Sequence, residues 1–264
     1  MSRAMSRLQP PKPTVKESIL RLLYKASGNR PSVDTFFTHL LKHRRYLAVA
    51  DPHFCIPQFA ETEVRFRNCP LGAWSTPVVD VYVLIKAALG FESTRILELG
   101  SYRGETARLL AENTPATTRI CTVDVHPDHG AAYKDTPLAS RIDRKVGEIR
   151  PELFARDEKF DFIFVDAAHD YASVVNDTEV AFQLLTDQGV MLWHDYRFDG
   201  YFHGMAGVPE ALKLFSAKYP IVSLSATTLA LHSRHPLRET AAVLRQLPSQ
   251  PLNPDVWKDT AVRG

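Results

Sequence analysis

The chain has 264 residues, of which 45% are hydrophobic and 23% are charged, so it is long and apolar enough to bury a sizeable core. Its formal net charge of +2 excludes a protein whose whole surface attracts nucleic acid. The charge is uneven, because residues 1–75 carry 12 Lys and Arg against 5 Asp and Glu. Such a basic segment is either a solvated helical face or a surface for an acidic partner.

Cysteine usage and hydropathy favour a cytoplasmic protein without a membrane partner. Cys55, Cys69 and Cys121 have no metal-ligand spacing and are expected to be reduced thiols. No apolar run reaches the length of a membrane span, and the first residues lack the apolar centre of a signal peptide.

The first part of the chain is predicted to form an N-terminal cap. Residues 1–15 are polar and contain several prolines, which is typical of a disordered segment. The apolar spacing predicts helices over residues 15–25 and 32–43. Residues 46–75 show no clear periodicity and are predicted to be rich in loops. We therefore expect residues 1–75 to form a helical and loop-rich cap.

After Pro77, which opens a predicted helix to Leu89, helices and strands alternate. The predicted strands are 96–99, 119–123, 142–146, 161–165, 189–193, 221–225 and 228–232, and the predicted helices are 104–113, a short one within 127–140, 151–156, 172–186 and 207–218. Continuous apolar strands between helices indicate an α/β fold with a mostly parallel sheet covered on both faces. The last two strands are close enough to form a hairpin. The sheet domain is predicted over residues 76–235, followed by a C-terminal helix and a proline-rich tail over 236–264.

A glycine turn, Glu98-x-Gly100-x-x-x-Gly104, separates the first of these strands from its helix. Two glycines allow a tight bend and a close approach of the backbone to a ligand at a helix N-terminus. The ligand is not predicted to be a dinucleotide. Glu98 would repel a phosphate but can accept hydrogen bonds from an amine, and Tyr102 stands where many dinucleotide fingerprints have a second glycine.

Polar residues also follow the next four strands. They are Asp124, Glu148, Asp166 with His169, and His194 with Asp195. Because ligands of open parallel sheets bind beyond the carboxyl ends of the strands, we expect these side chains to share one site. Asp124 is spaced to accept both hydroxyls of a ribose, or else it is a turn residue or helix N-cap. Glu148 either reaches an adenine ring or is a plain surface acid.

Four segments resemble the motifs of class I methyltransferases that use S-adenosyl-L-methionine (SAM). They are ILELGSYRGETARLLA, the acid in TVDV, FDFIFVDAAHDY and LLTDQGVMLWHDY, and the resemblance covers roughly residues 76–235. The third segment is especially similar to the small-molecule O-methyltransferase branch that includes macrocin-type sugar methyltransferases. The resemblance implies a Rossmann-like, doubly wound, mostly parallel seven-stranded sheet, here with the N-terminal helical cap added. It also implies SAM as cofactor and a small-molecule acceptor.

The resemblance further implies which residues contact SAM. Glu98, Gly100, Ser101 and Gly104 would surround the methionine part, Asp124 would hold the ribose, and Glu148 would lie near the adenine. Tyr102 departs from the family pattern, which more often has glycine at this position.

Catechol-type O-methyltransferases are similar in the same region and imply a divalent cation, commonly Mg²⁺, together with a base. Matching the motifs puts Asp166, His194 and Asp195 at the metal positions and His169 at the base, with His194 as a second candidate for the base. The chain has His-Asp where that family often has Asp-Asn, and imidazole is less typical of Mg²⁺ than of softer metals. Each histidine could instead be a structural residue, His169 hydrogen-bonded beside the sheet and His194 at the edge of the core.

The predicted function is therefore SAM-dependent O-methylation of a small-molecule hydroxyl, assisted by a divalent cation and a histidine base. One alternative is a hydroxylase or another Rossmann-like enzyme of a secondary-metabolite pathway. Another is a non-catalytic SAM-binding module that docks through the basic N-terminal segment. No nucleic-acid partner is expected, because no RNA-binding module is recognised. A homo-oligomer is left open.

Overall fold

The computed structural model describes residues 46–67, 69, 72, 74–196 and 207–233. It also describes five helical positions near the N-terminus, namely Val15, Ile19, Leu22, Leu23 and Ala26, in agreement with the predicted first helix. The predicted helix 32–43 and the predicted C-terminal helix lie outside the described residues. The division into residues 1–75, 76–235 and 236–264 stays a prediction.

From residue 46 onward, the described part of the chain alternates between strands and helices. The elements are β1 (Ala48–Ala50), α1 (Pro52–Cys55), α2 (Val78–Gly90), β2 (Arg95–Leu99), α3 (Glu105–Asn113), β3 (Arg119–Asp124), β4 (Ile142–Val146), β5 (Phe160–Val165), α4 (Tyr171–Leu184), β6 (Leu185–Trp193), α5 (Gly207–Ser216), β7 (Ile221–Leu224) and β8 (Ala230–His232). Two short 3-10 helices, Pro137–Arg141 and Pro151–Leu153, stand where short α-helices were predicted. Each begins with a proline, and none of the residues in either helix is buried.

The strands form one sheet in the order β1-β7-β8-β6-β5-β2-β3-β4. Strand β8 runs antiparallel to its neighbours β6 and β7, and the other pairs are parallel. This arrangement confirms the predicted Rossmann-like, doubly wound, mostly parallel fold and its closing hairpin. The strand order reverses at β2 and β5, where the loops after these strands diverge and leave a crevice for a ligand.

The sheet of the described residues has eight strands, so the expected number of seven was wrong. The additional strand is β1, which pairs in parallel with β7 through Ala48 and Val222, Val49 and Ser223, and Ala50 and Leu224. It lies inside residues 46–75, which were predicted to be rich in loops. A strand of only three residues has no measurable periodicity, and its apolar letters can equally belong to a loop.

Alternate residues of the central strands pack into two hydrophobic cores, one on each face of the sheet. In β2, Ile96 packs with the cluster under α2 and α3, whereas Leu97 packs with the cluster under α4 and α5. In β5, Phe162 and Ile163 divide in the same way. Burial on both faces explains why these strands read as continuous apolar runs. It also forces the polar residues to the strand ends, where the site lies.

Candidate active site

A cavity of about 1120 Å³ opens at the carboxyl ends of the central strands. The predicted site residues that line it are Glu98, Gly100, Ser101, Asp124, Glu148, Asp166, His169, His194 and Asp195. Gly104 is the one predicted residue outside the lining, because it packs beneath the cavity against the ring of Tyr133. The structure thus brings the polar ends of five strands to one place, as expected from the sheet rule.

The glycine turn requires both of its glycines. Gly100 has a φ of 89°, and a Cβ added to it would lie 2.2 Å from the carbonyl oxygen of Asp166. Gly104, with a φ of 77°, is the N-cap of α3, and an added Cβ would lie 2.4 Å from the Tyr133 ring. Tyr102 also has a positive φ, 46°, in a conformation that usually favours glycine. Its exposed side chain lies on the rim of the cavity.

Asp124 braces this turn. Its Oδ2 accepts hydrogen bonds from the backbone N–H groups of Ser101, at 3.1 Å, and Tyr102, at 2.7 Å. Its Oδ1 accepts a hydrogen bond from the N–H of His126 at 2.8 Å. The turn role that the sequence left open is therefore present. The ribose role stays a prediction, supported by the position of Asp124 on the cavity wall.

Glu98 is a buried acid at the floor of the cavity, with 1% of its surface exposed. Burial raises the pKa of its carboxyl group to about 8, with additional repulsion from Asp166 and Asp124 and an opposing contribution from Ser101. Its Oε2 is buried without a hydrogen-bond partner among the described residues. A buried carboxyl oxygen that lacks a partner is costly, so the position is suited to a cationic group of a ligand.

A network of acids and histidines forms the other side of the cavity, with His194 at its centre. Nδ1 of His194 lies 3.0 Å from Oδ1 of Asp166 and 3.2 Å from Oδ1 of Asp195. Nε2 of the same ring lies 3.2 Å from Oδ2 of Asp80. Nε2 of His169 lies 2.6 Å from Oδ2 of Asp195. The four predicted residues Asp166, His169, His194 and Asp195 therefore converge.

These contacts shift the proton affinities of the network. Burial lowers the pKa of His194, but Asp166, Asp195 and Asp80 raise it by more, to about 12. The hydrogen bond that His169 donates to Asp195 raises the pKa of His169 against the opposing effect of burial. Burial would raise the pKa of Asp195, but His169 and His194 hold it well below its usual range. With no cation bound, His194 thus favours its charged form, whereas for His169 the pKa is raised by its hydrogen bond to Asp195.

Sequence reasoning missed Asp80, which lies fully buried on α2. Its Oδ1 accepts a hydrogen bond from the backbone N–H of Thr228 at 3.0 Å, and its Oδ2 accepts one from the Thr228 hydroxyl at 2.6 Å. One signal could have revealed it. Asp80 is the single acid in an otherwise mostly apolar helix, and a carboxylate is rarely buried without strong partners.

The donor atoms fit a divalent cation. Asp166, His169 and Asp195 offer ligand atoms that all lie within 4.8 Å of one another, and Nδ1 of His194 is a further donor beside both acids. Oδ1 of Asp195 is buried and lies 3.2 Å from Nδ1 of His194 without a hydrogen bond to it. A bare Nδ1 lone pair would repel two carboxylate oxygens, so either a proton or a cation must lie between them. Two carboxylates and an imidazole suit a metal that accepts nitrogen better than Mg²⁺ does.

Two further walls complete the cavity, and hydrogen bonds hold each of them in place. On one side, the Ser75 hydroxyl donates to Glu105 at 2.6 Å, and the Thr76 hydroxyl donates to Asp166 at 3.2 Å, which ties the segment before α2 to the site. On the other side, Asn176 of α4 donates to the carbonyl of Ile149 at 2.9 Å. Glu148 lies exposed near this second wall, where an adenine role stays a prediction.

Residues 97–196 match the family model of a methyltransferase domain. No curated protein matches the chain. Several solved structures share its fold. An O-methyltransferase from Bacillus cereus in complex with S-adenosylhomocysteine (SAH) is 18% identical, with a TM-score of 0.52, over 62% of this chain and 84% of that one.

Two further solved structures are similar over more of the chain. The O-methyltransferase TomG from Streptomyces achromogenes, involved in tomaymycin synthesis and solved with SAM, is 19% identical, with a TM-score of 0.50, over 76% of this chain and 95% of that one. The SAH-bound methyltransferase PaMTH1 from Podospora anserina is 19% identical, with a TM-score of 0.50, over 85% of this chain and 98% of that one. At this identity the likeness shows the fold.

Residues 97–196 therefore match a methyltransferase domain, and the shared fold agrees with the class predicted from the motifs, that of class I SAM-dependent methyltransferases. The matched region begins just before Glu98 and ends at Tyr196, so it includes the glycine turn and all the predicted site residues. Asp80 lies outside it. Among the described residues, no helix is both long and apolar enough to cross a membrane.

Proposed function

We propose that the chain transfers the methyl group of SAM to a hydroxyl group of a small molecule, with His169 as the general base. The observation that carries this proposal is the 2.6 Å contact between His169 and Asp195, in the same cavity as the glycine turn. A histidine paired with a buried acid can remove a proton from a hydroxyl close to neutral pH.

The glycine turn and its neighbours are suited to hold the donor. Glu98 would accept hydrogen bonds from the ammonium group of the methionine part, beside Gly100 and Ser101. Asp124 would bind the ribose hydroxyls and Glu148 the adenine. These assignments follow the motif resemblance, and the unpartnered Oε2 of Glu98 supports the first of them.

The chemistry requires one proton transfer and one displacement. Asp195 engages Nε2 of His169, which leaves Nδ1 as the nitrogen that takes the proton from the acceptor hydroxyl. The hydroxyl oxygen forms a bond to the methyl carbon as the bond between that carbon and sulfur breaks. The products are the methyl ether, SAH and a protonated His169, which releases its proton to solvent. We assign the base to His169 rather than His194, because both ring nitrogens of His194 already face carboxylates.

We further propose that Asp166, His194 and Asp195 hold a divalent cation, Mg²⁺ or a metal that accepts imidazole more readily. Such a cation, when bound, lowers the pKa of a hydroxyl beside it and fixes its position. The convergence of the Asp166 and Asp195 carboxylates on Nδ1 of His194, at 3.0 and 3.2 Å, supports this part of the proposal. A small-molecule acceptor is favoured because the cavity, at about 1120 Å³, is of the size that holds a cofactor together with a compact second ligand.

The first test asks for SAH binding by titration calorimetry and for methylated products from a panel of small hydroxyl compounds, identified by mass. We expect His169→Ala to lower kcat by about 10² to 10⁴ with little change in SAH affinity, because the base acts on the acceptor and not on the donor. His53→Ala is the matched control, since His53 is exposed on α1 and does not line the cavity.

Three other results would contradict the proposal. Binding of NAD(H) without SAH binding would remove the donor assignment. A product heavier by one oxygen rather than one methylene group would indicate a hydroxylase. Tight SAH binding without turnover on any acceptor would favour a non-catalytic module. Full activity after removal of metals by EDTA would contradict the cation alone. Full activity in Asp195→Asn would contradict both the cation and the pairing of His169 with Asp195.

A further inference from the structure

Asp80 makes an unusual set of contacts for an acid in the first turn of a helix. Acids there commonly cap the helix or interact with its dipole. Asp80 forms no hydrogen bond that caps α2. Both of its carboxylate oxygens instead contact residues of other elements. One oxygen accepts from the backbone of Thr228, and the other accepts from the Thr228 hydroxyl and faces Nε2 of His194.

The contacts with Thr228 hold the Asp80 carboxylate in place. Thr228 lies in the turn between β7 and β8, and its two hydrogen bonds, at 3.0 and 2.6 Å, set the carboxylate plane. Oδ2 of Asp80, which accepts from the Thr228 hydroxyl, also accepts the Nε2–H of His194 at 3.2 Å. Asp80 itself is fully buried and does not line the cavity, so it cannot touch a substrate or cofactor. Its effect on the site must pass through His194.

We propose that Asp80 is the positioning residue of His194: by accepting the hydrogen bond from Nε2, it holds the ring so that Nδ1 faces Asp166 and Asp195. An imidazole that ligates a cation through one nitrogen commonly donates its other N–H to a carboxylate, which fixes both the tautomer and the ring orientation. The part of this inference that concerns a cation rests on the proposed function. The orientation of His194 is a property of the protein without any ligand.

The experiment compares the full-length protein with Asp80→Asn, which keeps the shape of the side chain but removes its charge. In the metal-free protein, we expect a side-chain Nε2–H signal of His194 that is protected from exchange, and we expect Asp80→Asn to lose or shift it. The signal is assigned by its absence in His194→Gln. In parallel, we expect the dissociation constant for Mn²⁺ to rise about 10- to 100-fold in Asp80→Asn.

Asp161→Asn is a closely matched control. Asp161 accepts hydrogen bonds from the backbone N–H and the hydroxyl of Thr94, at 2.9 and 2.6 Å, just as Asp80 does from Thr228. It lies at the opposite end of β5 from Asp166, away from the cavity. It should change neither the His194 signal nor Mn²⁺ binding. If Asp80→Asn does not fold, Thr228→Val keeps the carboxylate but removes one donor, and it should raise the Mn²⁺ dissociation constant by less than about tenfold.

An unchanged His194 signal and unchanged Mn²⁺ affinity in folded Asp80→Asn, with Mn²⁺ binding lost in His194→Gln, would overturn the inference. Asp80 would then only fasten α2 to the β7–β8 turn. If the wild-type protein binds no Mn²⁺, the cation must be removed from the proposed function. The His194 signal still decides whether Asp80 positions the ring, so the two failures are distinguishable.

Discussion

At the scale of single residues, the proposed contact between Glu98 and the donor predicts that donor binding depends on pH. Its pKa is raised to about 8 by burial, so at pH 7 most of the ligand-free protein carries a protonated Glu98. An ammonium group beside it would favour the carboxylate and lower that pKa. SAH binding at pH 7 should therefore release close to one proton, and affinity should rise by up to about tenfold per pH unit until the pH reaches about 8.

Titration calorimetry in two buffers with different enthalpies of protonation measures this release directly. Glu98→Gln should bind SAH more weakly and should release no proton through this group. SAH affinity that does not change between pH 6 and pH 8, with no proton release from the wild-type protein, would show that Glu98 does not meet the ammonium group.

The site residues also show what a sequence can and cannot reveal. Asp166, His169, His194 and Asp195 were predicted to converge because a single rule, that strand ends meet at one edge of a parallel sheet, places them there. Asp80 obeys no such rule. Its partner His194 is 114 positions away, and the contact exists only because α2 packs beside β6 and the β7–β8 turn. A buried acid on a helix signals that a partner exists but not which one.

At the scale of elements, the turn between β2 and α3 is fixed by contact with the loop after β5. We expect Gly100→Ala to destabilise the fold by about 2 to 4 kcal/mol and to abolish SAH binding, because a Cβ would lie 2.2 Å from the carbonyl oxygen of Asp166 and the backbone has a positive φ. Chemical denaturation measures the first effect and calorimetry the second.

Ser101→Ala is the neighbouring control for stability. Ser101 already carries a Cβ and does not have a positive φ, so removing its hydroxyl should change the free energy of unfolding by less than about 1 kcal/mol. If Gly100→Ala proves as stable as Ser101→Ala, the close approach of the two loops is wrong.

Strands could be predicted from the sequence where both of their faces are buried. The strands that became β2, β3, β5 and β6 contain apolar runs because helices cover both faces of the sheet. The segments near residues 137 and 151 were harder, because a proline opens either kind of short helix and too few residues follow to show a 3.6-residue period.

At the scale of the whole molecule, β1 joins residues of the predicted cap to the sheet. Ala50 is fully buried where β1 pairs with β7, and the N–H of Leu47 donates to the hydroxyl of Tyr196 at 2.8 Å. Tyr196 directly follows Asp195. Residues 46–50 therefore contact the sheet near the candidate site, although the sequence placed them in the cap because three apolar residues carry no period.

This placement predicts a sharp difference between neighbouring positions of β1. Ala50→Glu should lower the free energy of unfolding by about 3 kcal/mol or more, because it places an unpaired charge in the core beside β7. Val49→Glu, at a partly exposed position on the same strand, should cost less than about 1 kcal/mol. Denaturant unfolding of the two variants provides the comparison. Equal, small effects at both positions would mean that β1 is not part of the sheet in solution, and that the domain boundary belongs near residue 75 after all.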